Sequence, residues 1–589
     1  MRFRSRAAAA GRVYAVSGTN TISFAIDGAD TTTDGLLGFA VERIDADLDE
    51  RYYLPGFKVF ASVVPNPAPY VQVSTFEHPM QSFLWDDFTA QPDHEYTYVF
   101  HPLKGRPRKI DRSARALAIT VRTEPLVSKL EHDVLFNRGV ASSQSYQRSF
   151  GSDPIELLTE PKRRAALAWL SRELDDAMLR FIDDCRTGDR LLGCFYEFRY
   201  RPVAEALKAA LDRGVDVQLI IDGKVNEHTD SEGFHESFPR EENLRLLHEA
   251  GIPDSAVTLR QARKSAIAHN KFMVRITDDG PSEVWTGFTN LSLGGIHGQT
   301  NVGHWVRNAG VATLFTKYWE LLGDDPGGRP GEPRAQVIAK NAAFKSAVLA
   351  MSPVPADLRQ VSSGITPVFS PRPDTAALQS YAALLDSADS QACITLAFTI
   401  SPAIKDVLKD NADLDHLTFM LLEKRDRPDP DRPAAFVRIN AKNNVYQAWG
   451  SFLRNPVYQW AQETNAGLLG INQHVSYVHS KFMLVDPLGS DPVVVTGSAN
   501  FSAASVKEND ENMLIIRGDQ RVADIYLTEF NRLFNHYYFR SVTESRRRRS
   551  DEPSLFLSED DSWVGGYTRG GLKSKRLKLY TEMTGFRTL

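Results

Sequence analysis

Cysteine is nearly missing from this chain. Three occur in 589 residues, Cys185, Cys194 and Cys393, and no two form a Cys-x-x-Cys pair. So odd and sparse a set argues against a disulfide framework and a thiolate zinc site, and points to a reducing, cytoplasmic setting. Long apolar runs are missing too. No stretch reaches the ~18 residues of a membrane span, so no transmembrane segment is expected. The opening MRFRSRAAAAGRVYAVSG is basic and then alanine-rich, but Gly11 and Arg12 break the apolar core that a signal peptide requires. One-sided charge is also lacking: 69 Lys and Arg stand against 74 Asp and Glu. That balance excludes a bulk polyanion binder, so any polyanion site must be local. Metal spacing is absent as well. His297 and His304 lie near His269 without a carboxylate or thiolate at zinc spacing, and they read as surface histidines, as does His474. No metal and no cofactor are expected. At 42% hydrophobic and 24% charged, the chain falls in the globular class, with room for several domains.

Against this background one stretch occurs twice. His269–Asn290 reads HNKFMVRITDDGPSEVWTGFTN, and His479–Asn500 reads HSKFMLVDPLGSDPVVVTGSAN. Both open His-x-Lys-Phe-Met and close Thr-Gly-x-x-Asn, with the Gly 18 and the Asn 21 residues after the His. Matched spacing at five positions marks a repeat. Each copy reads as a hairpin. In the first, a strand over Phe272–Ile276 sets His269 and Lys271 on one face and Phe272 on the other. Asp279-Gly280-Pro281 is then a turn and Glu283–Thr286 a second strand. The second copy reads as strands Lys481–Val485 and Pro492–Thr496 about a turn at 486–491. An imidazole, an ammonium and a carboxamide thus collect at one end of each hairpin. Imidazole attacks or shuttles protons near neutral pH. The other two donate to phosphate oxygens. Two such sets face to face would hold one phosphate between two histidines.

The doubled pattern resembles the phospholipase D superfamily, whose signature is His-x-Lys-x4-Asp followed by Gly-(Gly/Ser)-x-Asn. The second copy carries all of it in His479, Lys481, Asp486, Gly497, Ser498 and Asn500. The first has His269, Lys271, Gly287 and Asn290, with Ile276 at the Asp position and Asp278 and Asp279 out of register. The resemblance covers roughly residues 160–545. It implies a metal-independent phosphodiesterase with a phosphohistidine intermediate, in which one histidine attacks phosphorus and the other serves as acid and base. By that resemblance His269 attacks and His479 moves the proton, the reverse assignment staying open. Lys271, Lys481, Asn290, Asn500 and Ser498 would bind the phosphoryl oxygens. Asp486 would support the site through hydrogen bonds, and Glu511, 11 residues after Asn500, would orient one histidine. The first half offers Gln299, Asn301 and Gly303 in the matching region and no Glu.

The expected fold class is α/β: two phospholipase D-like half-domains with mixed sheets forming one pseudo-twofold catalytic core, preceded by an all-β sandwich. The sandwich, residues 1–125, rests on short runs at Val13–Val16, Thr21–Ile26, Leu37–Ile44, Val59–Val63, Tyr96–Phe100 and Leu117–Arg122. Gln81–Leu103, with a Trp, a Pro and then Tyr-x-Tyr, resembles a fibronectin type III module, which could dock a protein partner. Residues 126–160 read as a polar linker, and one helix is expected over Arg163–Cys185. The halves, 161–340 and 341–545, each read strand–helix–strand before the repeat and strand–helix after it, with a Gly/Pro-rich junction at 323–340. The basic tail, 546–589, keeps Leu555, Leu557, Trp563 and Tyr567, which suggests that it packs back on the body.

A nuclease is the first reading of substrate, since Arg546–Arg549 and Lys573–Lys578 could hold a strand. Phospholipid headgroup hydrolysis or transfer is the second and should show an apolar rim at the site. A third, a binding protein with a decayed site, rests on Ile276 alone.

Overall fold

A computed structural model describes residues 1–589 apart from 9–10, 29–32, 68–70, 140–143, 152, 226–237, 262–265, 325–330, 412–415, 429–435, 451–476, 548–555, 569 and 588–589. His474, Arg548, Arg549 and Leu555 lie outside the described residues.

The N-terminal region is all β. Arg2–Arg4, Arg12–Ser17, Ile22–Asp27 and Leu84–Asp87 form one antiparallel sheet. Leu36–Asp45, Glu50–Tyr53, Glu95–Arg106, Lys109–Asp111 and Leu117–Arg122 form another. Side chains two apart share a face, so Val13, Ala15, Phe24 and Ile26 of the first meet Phe39, Val41, Tyr96, Tyr98 and Phe100 of the second in one buried cluster. The expected strand Val59–Val63 does not form. Val59 makes a single bridge to Phe556, and the N–H groups of Val63 and Val64 turn back on the Phe60 carbonyl.

Two seven-stranded mixed sheets follow. The first runs His132–Phe136, Val302–Val306, Gly280–Gly287, Lys271–Thr277, Arg190–Phe195, Asp216–Asp222, Val257–Arg260 across the sheet. The second repeats that order with Gly364–Ser370, Glu511–Arg517, Val493–Gly497, Phe482–Val485, Gln391–Leu396, Leu417–Leu422, Val445–Trp449. The last three strands of each sheet are parallel, and the motif hairpin makes its neighbours antiparallel. Helices Ala309–Gly323 and Gln520–Arg547 lie between the sheets. The buried cluster there takes Phe272 and Val274 from one sheet, Phe482 and Leu484 from the other, and Phe315, Tyr318, Tyr526 and Phe530 from the helices. Met273 and Met483, one residue on, face the outer helices instead. Each such buried side chain contributes about 1.5–3 kcal/mol.

Three further expectations change. The "linker" contains His132–Phe136, an edge strand of the first sheet. It looked polar because His132 and Asp133 are buried with partners, Asp133 accepting from Ser128 Oγ (2.6 Å) and Arg307 (2.7 Å). The helix over Arg163–Cys185 is two helices, Glu160–Ser171 and Leu174–Asp183. Arg172 and Glu173 between them both take positive φ, and the Arg172 guanidinium turns inward onto buried Glu529. The junction at 323–340 gives way at Arg334 to a helix that reaches Met351. The tail packs back as read: Leu557, Val564, Tyr567, Tyr580 and Met583 are buried, and Trp563 Nε1 donates to the Leu36 carbonyl at 2.9 Å.

Candidate active site

The strand Lys271–Thr277 starts opposite the last residue of a parallel strand, Lys271 pairing with Phe195. This sets His269 and Lys271 beyond the carboxyl ends of the parallel strands, where α/β sheets open to ligands. Phe482–Val485 stands in the same relation to Gln391–Leu396. A carboxylate at the end of the next parallel strand holds the approach to each histidine. Asp222 accepts from the Ala268 N–H at 2.9 Å, and Glu423 accepts from the Val478 N–H at 2.7 Å. Sequence reasoning missed both; the signal was an acid directly after an apolar strand. The motif glycines have a steric reason. Gly287 and Gly497 sit at φ +135° and +156°, and a Cβ would lie 2.3 Å from the Val302 oxygen and 2.2 Å from that of Asn512.

The two halves complete each other. Ala268 bridges Asp510, and Thr300 bridges Val478. Each bridge delivers the next residue of one half to the histidine of the other. His269 Nδ1 lies 2.9 Å from Glu511 Oε2, and His479 Nδ1 lies 2.9 Å from Asn301 Oδ1. Asn301 Nδ2 donates to the Gly295 carbonyl at 2.7 Å, so its oxygen is the atom that faces His479. An accepting oxygen on each Nδ1 requires the proton there and leaves both Nε2 lone pairs for chemistry. Asn301 lies 11 residues after Asn290, as Glu511 lies 11 after Asn500, so an amide stands where the second half has a carboxylate. Asn137, from the segment read as linker, braces this loop: it accepts from the Asn301 N–H at 2.9 Å and donates to the Gln299 carbonyl at 2.7 Å. Asn512 ties the centre together, donating to Asn270 (2.9 Å) and accepting from Thr286 Oγ1 (2.6 Å).

Electrostatics follow from burial. His269, His479, Lys271, Lys481 and Glu511 are all buried. Burial, then Lys271 and Lys481, hold His269 well below the ordinary imidazole value. Burial, then Lys481, Lys271 and His269, do the same to His479. Burial brings Lys271 down to about 8 against the pull of Glu511, and takes Lys481 well below its usual value with Lys271 adding to the effect. Burial pushes Glu511 up to about 7, with Lys271 opposing. Both lysines bear on both histidines, with Glu197 opposing them at His269, and a phosphodiester anion bound here would favour the ammonium forms. Each lysine donates to the carbonyl of its own histidine. The Oδ1 atoms of Asn290 and Asn500 are buried without a hydrogen-bond partner among the described residues.

Not every expected residue joins this cluster. Ser498 Oγ donates to Glu511 at 2.7 Å and accepts from the Asn512 N–H at 3.0 Å, so its hydroxyl bears on His269 through Glu511. Asp486 lies at the far end of Phe482–Val485. Its carboxylate accepts from the N–H groups of Asp389, Ser390 and Gln391 and from Arg359, all remote from the histidines. It therefore locks two strand ends together and does not hydrogen-bond the site, and Ile276, its counterpart, is partly buried against the central core. His297 and His304 are buried, not surface, residues: His304 lies 2.8 Å from His132 and 3.1 Å from the Tyr526 hydroxyl, and His297 Nδ1 meets the Leu167 carbonyl at 3.2 Å. Among the described residues, Asp45, Asp47 and His94 bring metal-type ligand atoms together, in the N-terminal sheets; Asp47 is exposed and His94 Nε2 is already on Asp45 at 2.8 Å. No helix among the described residues is long and apolar enough to cross a membrane.

Known proteins resemble the chain over part of its length. Mitochondrial cardiolipin hydrolase of dog is 33% identical over 66 residues, 11% of this chain and 24% of the relative; the mouse protein is 33% identical over 66 residues and 28% of its length. The matched stretch thus spans about a quarter of each relative. Among solved structures, a phosphatidylserine synthase from Haemophilus influenzae Rd KW20 is similar over 70% of this chain and 93% of its own, at 12% identity and TM-score 0.43. Nuc, a phospholipase D family member from Salmonella typhimurium, is similar over 29% of this chain and 93% of its own, at 18% identity and TM-score 0.21. The family model described as "Cardiolipin synthase, PLD-like domain" matches residues 178–322 and 381–534, half of the chain and both histidine segments, and the chain belongs to that phospholipase D-like family.

Proposed function

We propose that the chain is a phosphodiesterase that cleaves nucleic acid in two displacements through a phosphohistidine. The crossed pairing of His269 with Glu511 and His479 with Asn301 carries this reading. His269 Nε2 attacks phosphorus and the P–O bond to the leaving alcohol breaks. Glu511 stabilises the positive charge that the substituted imidazole acquires, as a carboxylate behind a catalytic histidine does. His479, backed only by an amide, is the weaker base. Once the anion has raised its proton affinity, it gives an Nε2 proton to the leaving oxygen. Water then attacks phosphorus, His479 takes its proton, and the P–N bond breaks to free His269. Lys271, Lys481, Asn290 and Asn500 hold the phosphoryl oxygens.

Exposed cations at the rim of the second half favour a nucleic-acid strand. The names of the family and of the curated relatives favour a second reading, phospholipid headgroup hydrolysis or transfer. Against the decayed-site reading stands the place of Asp486, whose hydrogen bonds go to strand ends and Arg359 and not to the histidines, so that Ile276 at the matching position removes no contact with them. The test is cleavage in EDTA of single-stranded DNA, duplex DNA, RNA and phosphatidylcholine vesicles, beside His479→Ala. Nucleic-acid cleavage that is lost in the variant is the expected result. Headgroup release with nucleic acid untouched would move the protein to the lipid reading, and silence on all four would overturn the proposal.

A further inference from the structure

Phe398 is an anomaly of the second half. It follows the strand Gln391–Leu396 by two residues and is 58% exposed. Two cavities share its wall. One, of about 90 Å³, is also lined by Lys481 and Asn500 of the repeat. The other, of about 390 Å³, is lined by Lys424, Arg425 and Arg427. The ring therefore stands between the motif ammonium and a run of cations. Those cations are exposed, and none pairs with a carboxylate among the described residues; Asp426, the acid among them, is held by Lys405 at 2.8 Å. The Arg425 guanidinium lies over the Trp449 ring, 5.2 Å from its centroid.

Among the described residues, the first half does not repeat the exposed ring. Phe195 and Leu396 occupy matching strand ends, so Glu197 corresponds to Phe398. Glu197 is buried and pairs with Arg199 at 3.0 Å. Of the large apolar residues that line the two cavities, Phe398 is the exposed one; Leu396, Ile400 and Phe501 are buried. A membrane-entering rim would need an apolar surface. A single exposed ring flanked by cations is instead the arrangement that holds a single strand, with stacking for the base and charge for the backbone.

We infer that Phe398 and Arg425 form a nucleotide subsite next to the reacting phosphate, in which the ring stacks on a base and Arg425 takes the adjoining backbone phosphate of a single strand. The inference rests on the phosphodiesterase reading above and names its substrate more closely.

The test uses the full chain. Binding of a fluorescein-labelled dT 12-mer is followed by anisotropy in a His479→Ala background, so that the strand stays intact. Hydrolysis of bis(p-nitrophenyl) phosphate is followed in the otherwise native chain. Phe398→Ala should weaken the 12-mer about tenfold, Phe398→Trp should restore it, and Phe398→Leu should not. Arg425→Ala should reduce the slope of log K against log salt by about 0.7. Turnover of the small diester, which has no adjoining phosphate, should not change in Arg425→Ala. Unchanged 12-mer binding in Phe398→Ala would overturn the subsite while leaving the phosphodiesterase intact. So would vesicle binding that Phe398→Ala abolishes and Phe398→Leu keeps, because that pattern is lipid contact. Failure of the native chain on the small diester would count against the phosphodiesterase itself, and the anisotropy series would still decide the subsite.

Discussion

Glu511 and Asn301 hold matching places, a carboxyl against an amide, and in the proposed mechanism that difference divides the labour between the histidines. Glu511→Gln keeps the hydrogen bond to His269 but removes the charge that supports a phosphorylated imidazole. It should lower the single-turnover rate about 10²–10⁴-fold, whereas Asn301→Ala should lose less. Lys271 supplies a pH signature. Its ammonium form, which an anion favours, prevails below about 8 and is lost above it. KM should therefore rise as pH passes about 8, as measured at constant ionic strength, and Lys271→Ala should remove that rise. Both histidines, both lysines and both asparagines were candidates from the matched spacing of the repeat, and the structure brings the histidines and lysines together. Asn301 was visible at the right distance but lacked a carboxylate to mark it. Asp222 and Glu423 were hidden because a strand-end acid has no motif. Asp486 misled in the opposite way: it belongs to the signature, yet its hydrogen bonds go to strand ends.

Among the elements, the long helix Gln520–Arg547 carries the interior's most exposed weakness. Glu529 accepts from Arg172 and, at 2.8 Å, from Arg532, with all three buried. Glu529→Ala strands two guanidinium groups and should cost about 3–5 kcal/mol, read as a drop in the denaturation midpoint. The hairpins and crossovers were readable because their period and turn residues agree. The edge strands were not. His132–Phe136 opens with two polar residues, and Gly364–Ser370 contains Pro367, which an edge strand tolerates and a central one does not. The break at Arg172 and Glu173 left no trace in the apolar spacing, since a buried ion pair across the molecule sets it.

The whole molecule is closed by contacts far apart in sequence. Arg2 is 1% exposed; it donates to the carbonyls of Pro487, Leu488, Gly489 and Thr584 and to Asp524 at 2.8 Å. One guanidinium thus joins the N-terminal strand, the turn of the second motif hairpin, the central helix and the tail. Arg2→Ala should destabilise the fold by about 3–5 kcal/mol and expose the N-terminal region to limited proteolysis. The same logic governs the centre, where neither half alone positions its own histidine. The central claim is most directly tested by trapping the intermediate. The His479→Ala chain is mixed with p-nitrophenyl thymidine 5′-phosphate, whose leaving group needs no proton, quenched in alkali, and its intact and peptide masses are measured. A thymidylyl group on His269, absent from His269→Ala, is the predicted result. No adduct on His269, or an adduct elsewhere in the chain, would contradict the account.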